Sequence, residues 1–217
     1  MKKQIFSLDT LHWILGLVIS SLGLCLSTKS DLGLSMIGAC PYVLHVWLRD
    51  ALPWFTQGTA EYVWEAIVLL VTCLAVRRFR PRFLLSFLTA VIVGSIIDGW
   101  LWVLGGNGAW GSMAGRVASF IAGMVVTSLG VAFFFRTHLP LEVYELAVQQ
   151  IAERYHLDQN RVKLGFDIAS LCVAIALSLL LTHALTGIGL GTVAMTFLNA
   201  PLIAFFGRLI DRAEGKG

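Results

Sequence analysis

The sequence predicts an all-α polytopic membrane protein, with about six transmembrane helices forming two inverted three-span repeats, each carrying an irregular or re-entrant segment. Three observations lead there. The chain is 57% hydrophobic and 13% charged, against roughly 25% charged in an ordinary soluble domain. Its charges are clustered: no Asp, Glu, Lys or Arg occurs over Thr10–Thr28, Phe83–Ile97, Val117–Phe135 or Ile168–Gly207. A helix needs about 20 mostly apolar residues to cross the hydrocarbon core, and a soluble core of this size would need charged faces between its apolar ones. Finally, an apolar stretch is written twice. "GLVISSLGLCLSTK" begins at Gly16 and "GMVVTSLGVAFFFR" at Gly123, so Gly16, Val18, Ser21, Leu22 and Gly23 recur as Gly123, Val125, Ser128, Leu129 and Gly130.

The spans fall, in order, at about 11–29, 60–77, 83–104, 114–136, 162–182 and 187–208. The basic start "MKKQIFSLDTLHWILGL" has no small-residue cleavage site after its apolar run, so it is expected to be a retained first span. Between the first and second spans of each half lies a further segment, "DLGLSMIGACPYVLHVWLRDALP" or "HLPLEVYELAVQQIAERYHLD". Gly33, Gly38 and Pro41 break the first of these. The second carries Glu142, Glu145, Glu153 and Arg154, and is expected to be a cytoplasmic-surface helix with an apolar face of Leu141, Tyr144, Val148, Ile151 and Tyr155.

Basic residues set orientation. Lys2 and Lys3 place the N-terminus inside, and Arg77, Arg78, Arg80 and Arg82 mark the densest cytoplasmic loop. That loop lands inside only if 32–50 dips in and returns, or lies on the surface. The uncharged "GGNGAWGS" then falls outside, while Arg136, Arg154, Arg161 and Lys163 fall inside, as do Arg208, Arg212 and Lys216. Six spans with both termini cytoplasmic satisfy every basic cluster, in a bacterial inner (plasma) membrane.

The duplication extends further. Residues 63–76 align with 165–178, setting Glu65 opposite Asp167, and 84–97 align with 189–202, setting Gly94 opposite Asn199. The first repeat is 1–108 and the second 109–217, within one integral membrane domain. Three spans per half is odd, so the second half must enter inverted. That is the plan of many secondary transporters, whose sites lie near the midplane at the repeat interface.

The glycine pairs Gly16/Gly23 and Gly123/Gly130, "SDLGLS" after the first span, "VGSIID" (93–98) and "GIGLGTVAMTFLNAPLI" (187–203) together resemble the bacterial YczE/YyaS/YitT-like family of integral membrane proteins, over nearly the whole chain. The resemblance implies an inner-membrane protein of a class labelled either as transporters or as accessories of biosynthetic loci. Two departures stand out. The family's Pro, aromatic and Asp after "DLG" give way here to "LSMIGACPY", and Pro140 replaces a second-copy Gly. On that alignment Glu145 takes the second copy's acidic position, and Gly38 the first copy's.

Ionisable groups inside spans cost several kcal/mol unless paired or hydrated. Glu65, Asp98 and Asp167 therefore become candidates for cation or proton exchange. The plain alternative is that they sit at span ends against water or Arg. Asp31, Glu65 and Asp98 form an expected outer acidic group. Asp167, near His138, Glu142, Glu145 and Asn199, forms an inner one. Glu61 is expected to be solvated. A short re-entrant helix in the segment broken by Gly33, Gly38 and Pro41 would aim its positive end at an anionic group, to which Ser35 could hydrogen-bond. The candidate substrate- or ion-binding residues are thus Asp31, Ser35, Glu65, Asp98, Glu145, Asp167 and Asn199. The repeated glycines are expected to permit close helix contact.

No cofactor or metal site is expected. Cys25, Cys40, Cys73 and Cys172 have no metal spacing, and "GIGLG" lacks the Lys of a phosphate loop. No catalytic motif appears, so an enzyme is not expected, and basic residues confined to loops do not suit nucleic acid. The expected partners are the lipid bilayer and an unknown small molecule or ion. Two functions remain open. One is a small inverted-repeat transporter, with protons as a candidate coupling ion and a homodimer suggested by its size. The other is a non-transporting accessory that binds a partner protein.

Overall fold

A computed structural model describes residues 2–215 and is all-helical over them. Lys216, assigned above to the last basic cluster, lies outside the described residues. The helices are α1 Lys2–Ser30, α2 Met36–Leu48, α3 Gln57–Val76, α4 Arg82–Val103, α5 Met113–Phe134, α6 Val143–Tyr155, α7 Gln159–Thr182 and α8 Leu190–Ala213. Six of them, α1, α3, α4, α5, α7 and α8, are long and apolar enough to cross a bilayer, and they match the six spans read from the sequence. The two intervening segments become α2 and α6.

Local chemistry sets the helix ends. Thr56, Ser112 and Asp158 cap α3, α5 and α7 by accepting from the amides of Thr59, Gly115 and Arg161, which satisfies donors that a helix start leaves orphaned. Arg77, His156 and His183 end α3, α6 and α7 in the left-handed conformation. Asp31 and Gly33 turn the chain out of α1 with φ of 50° and 126°. Pro41 sits fully buried inside α2. It has no N–H, so it leaves the carbonyl one turn earlier without its helical donor.

The chain forms two compact units that interleave in sequence. One comprises Met1–Ser35, Gly99–Leu139 and Gly189–Gly217; the other comprises Met36–Asp98 and Pro140–Ile188. Each draws on both sequence halves.

In the first unit α1 and α5 run antiparallel, and the twice-written stretch is their contact face. Ser20 lies against Gly130, Gly23 against Gly123 and Thr127, and Ser27 against Gly123. A methyl group on Gly23 would come within 2.8 Å of the Gly123 carbonyl oxygen, and one on Gly123 equally close to that of Gly23. The duplicated glycines thus allow backbone-to-backbone approach, as expected. The Ser119 hydroxyl donates to Leu26 O (2.7 Å) along the same seam. Next, α8 packs on α5 through Phe120, Met124 and Met195, and Gly191 N donates to Leu32 O (2.9 Å).

In the second unit α2 packs against α3 and α7, and α6 against α3 and α7. Leu69, Phe83, Ala90 and Val143 form its core. Gly58 of α3 and Gly94 of α4 meet backbone to backbone, with no room for a Cβ on Gly58. The expectation of a surface helix over 139–155 is overturned. Val143, Tyr144, Ala147, Val148, Gln150 and Ala152 are buried, because α6 lies between two neighbours and so covers more than one stripe. Tyr155, assigned to the apolar face, is instead 53% exposed, with its hydroxyl donating to Ala75 O (2.8 Å).

Gly123→Leu is expected to force α1 and α5 apart and to cost about 1–3 kcal/mol, the usual penalty of overpacking. Gly165→Leu, where a Cβ meets nothing within 4 Å, should be near neutral. Thermal unfolding of the two purified variants checks the contrast.

Candidate functional site

The second unit gathers acids along one side of α3. Glu61 and Glu65 are one turn apart and therefore share a helix face. They are 4% and 0% exposed. The Tyr144 hydroxyl donates to Glu61 Oε1 (3.1 Å), and the Val143 amide, the first of α6, donates to Glu65 Oε2 (3.1 Å). The second oxygen of each carboxyl, Glu61 Oε2 and Glu65 Oε1, is buried with no hydrogen-bond partner. Among the described residues no Lys, Arg or His pairs with either.

The start of α6 adds more charge. Glu142 is the N-cap residue, without a side-chain capping bond, and Glu145 falls in the first turn. Both are partly buried. Burial, then Glu145 and Glu61, pushes Glu142 well above the ordinary carboxylate range, against the pull of Lys163. Burial likewise raises Glu145, with Lys163 again opposing. Lys163 Nζ donates to Asp167 Oδ1 (3.1 Å) on the next turn of α7. The row therefore runs from Glu61 and Glu65 through Glu142 and Glu145 to Lys163 and Asp167, with Lys163 the one cation of the group.

This geometry fixes where α6 lies. Glu65 is about 12 Å along α3 at 1.5 Å per residue, close to the middle of a 20-residue span. Val143 is bonded there, while Tyr155, at the far end of α6, reaches Ala75 near the end of α3. So α6 starts beside the midpoint of a spanning helix and runs parallel to its second half. The Cys40 thiol of α2 meets Ser170 O of α7 at 3.6 Å, three residues beyond Asp167.

The remaining candidates have different surroundings. Asp98 accepts from the Thr56 hydroxyl (2.6 Å) and the Gly58 amide (2.9 Å), so it ties α4 to the start of α3. In the first unit, Asp31 pairs with Arg116 (2.8 Å), whose guanidinium also holds Ser30 O and Asp31 O. Asn199 Oδ1 accepts from the Ser128 hydroxyl (2.7 Å). Ser35 ends a segment of that unit, immediately before α2.

The structure thus brings Glu65, Glu145 and Asp167 into one row and leaves Asp31, Ser35 and Asn199 in the other unit. The split into outer and inner acidic groups does not hold for Glu65, because the start of α6 reaches it. Glu61 is not solvated either: it is 4% exposed and bonded to the Tyr144 hydroxyl. Glu142, Tyr144 and Lys163 were not candidates. The available signal was the four-residue spacing of Glu61 and Glu65 on an otherwise apolar helix. Among the described residues no three His, Cys, Asp or Glu side chains converge in a metal-holding arrangement.

Fold and site together define a polytopic helical membrane protein with a buried acidic row. The chain belongs to the family of unknown function DUF6198, whose model matches residues 8–208. It is 28% identical over 208 residues to the uncharacterized protein YyaS of Bacillus subtilis (strain 168), covering 93% of this chain and 94% of that one. This agrees with the YyaS-like resemblance. No solved structure matches the chain.

A carboxyl raised in the folded state binds its proton more tightly there than in the unfolded chain. Its stabilising contribution is complete below the unfolded value of 4.5 and fades as pH rises through the folded value. The unfolding temperature is therefore expected to fall as pH rises from acid through neutral, and Glu142→Gln with Glu145→Gln should flatten the slope. A pH series of thermal unfolding in detergent checks this.

Separately, Asp98→Ala leaves the Thr56 hydroxyl and Gly58 amide without their acceptor. The expected cost is about 1–3 kcal/mol, measurable as a lower unfolding temperature than that of Asp50→Ala, a solvated surface control.

Proposed function

We propose that this protein is a small secondary transporter of the inverted-repeat type, moving a small metabolite or ion across the bacterial plasma membrane with both termini cytoplasmic. The observation that carries the reading is the start of α6 beside Glu65, midway along spanning helix α3, where two carboxyls lie buried without a cation. Ionisable groups are kept at such depth chiefly where they serve ion or substrate pathways. Transporter sites are typically built where interrupted helices end near the midplane. An accessory protein would need a docking face, not buried charge.

Several contacts support the inverted duplication. Under the alignment that matches Gly16 with Gly123, Lys29 corresponds to Arg136; under the one that matches 84–97 with 189–202, Gly106 corresponds to Asp211. Lys29 Nζ donates to Gly106 O (3.1 Å), and Arg136 grips Asp211 with two bonds (2.7 and 2.5 Å). Leu32 and Gly33 sit against Gly189, Gly191 and Thr192 at the start of α8. Their second-half counterparts include Pro140, whose carbonyl accepts from Thr89 in α4 (3.3 Å). Likewise α6 lies on α3 as α2 lies on α7, and α1 and α5, the paired first spans, run in opposite directions.

The test is uptake into proteoliposomes of a radiolabelled panel of amino acids, sugars, organic cations and inorganic ions. Saturable uptake of one class is expected, with Glu65→Gln reduced to the level of protein-free vesicles and Lys163→Ala impaired. No uptake of any panel member, with a second protein co-purifying stoichiometrically, would overturn transport in favour of the accessory function.

A further inference from the structure

Glu61 and Glu65 share a hydrogen-bonding pattern that indicates what they bind. Each carboxyl has one oxygen that accepts a neutral donor, the Tyr144 hydroxyl or the Val143 amide, and one buried oxygen with no hydrogen-bond partner, donor or acceptor. An ionised carboxylate would leave a charged oxygen bare at each of these sites, whereas the acid form leaves only a neutral O–H unpaired, which costs less. Two carboxylates one helical turn apart, 4% and 0% exposed, with no cation paired to either, would be uncompensated buried charge. Such groups neutralise in preference to being carried charged into an apolar interior.

Other groups near the pair do not supply a counter-charge. From α6 and its cap come Glu142, Tyr144 and Glu145, two more acids and a phenol. From α2 comes the Cys40 thiol. On α4, Asp98 is engaged with Thr56 and Gly58 at the start of α3. From α7 come Lys163 and Asp167, already bonded to each other. A metal cation is a poor fit, since among the described residues no three His, Cys, Asp or Glu side chains converge, and one of the two oxygens of each carboxyl is already taken by the Tyr144 O–H or the Val143 N–H.

We propose that Glu61 and Glu65 are the proton-binding site of this protein, each carrying an exchangeable proton in the arrangement described above, and that the proton is the coupling ion of the transport inferred above. The coupling part rests on that transport reading; the proton site does not. Each step is a simple association, in which carboxylate and proton give the neutral acid and no other bond changes. Glu142 and Glu145, partly exposed and lying between the pair and the Lys163–Asp167 bridge, form the exchange route toward solvent. The pair becomes ionised only when movement of α6 away from α3 admits water or a cationic solute to the two open oxygens.

Infrared spectroscopy of the full-length protein in liposomes tests the site directly. At neutral pH the wild type is expected to show absorbance from protonated carboxyl groups that shifts in deuterated water. Glu61→Gln and Glu65→Gln should each remove part of it. Glu61→Asp and Glu65→Asp should retain it at a shifted frequency, which separates loss of the acid from loss of fold. No such absorbance, or the same absorbance in both Gln variants, overturns the proposal. Uptake by the wild type should depend on an imposed pH gradient; uptake indifferent to the gradient overturns proton coupling while transport stands. Conversely, the expected infrared changes without uptake of any solute would sink the transport reading and support the proton site.

Discussion

The hydrogen bond from the Val143 amide to Glu65 is the contact on which the second unit depends. It places the first residue of α6 beside the middle of α3 and buries the other end of the bond in a mostly apolar helix. Once Val143 is fixed there, the next turn has little freedom. Tyr144 must turn toward Glu61, Ala147 and Val148 must pack inward, and Tyr155 arrives at the end of α3. A backbone amide at a helix start is one of the few donors that can reach a buried carboxyl without bringing a charge of its own. That explains how two acids are held in a spanning helix without an arginine or lysine beside them.

The first unit is built on a different constraint, close approach of backbones. Lipid offers α1 and α5 no hydrophobic reason to associate, so van der Waals contact and interhelical hydrogen bonds must do it. The small residues Ser20, Gly23, Ser27, Gly123 and Gly130 remove the side-chain layer between the two helices. Polar contacts close both ends of the seam. Arg116 with Asp31 and Lys29 with Gly106 O lie at one end, and Arg136 with Asp211 and His12 with Glu214 at the other. Lys29, Asp31, Arg136 and Asp211 lie at or close to helix ends, and the pairing with Arg116 accounts for Asp31 structurally. Asp98 has a comparable role in its own unit as the acceptor at the start of α3.

Acids in or beside spanning helices therefore divide by what satisfies them. Asp31, Asp98 and Asp167 each have an Arg, a hydroxyl and amide, or a Lys arranged around them. Glu61 and Glu65 have neutral donors to half of their oxygens and nothing to the rest. Hydrogen bonding is complete around the first group and incomplete around the second, and the proposed proton site lies in the second.

The sequence by itself determined the membrane class, the six spans and the small-residue contact face, because each rests on local composition and on spacing along one helix. It also pointed to Glu65 and Asp167, since a charge within an apolar run is conspicuous wherever the run ends up. The rest belongs to the tertiary structure. Glu61 looked like a solvated residue near a span end, and 139–155 looked like a surface helix, because charge and helical spacing describe what a segment presents, not what will cover it. Only the packing of α6 between α3 and α7 decided that Glu61, Glu65, Glu142 and Glu145 share one row. The reason is physical: a buried carboxyl is made tolerable by donors that come from distant parts of the chain, and the position of a backbone amide such as that of Val143 is set by the fold and carries no mark in the residue's identity.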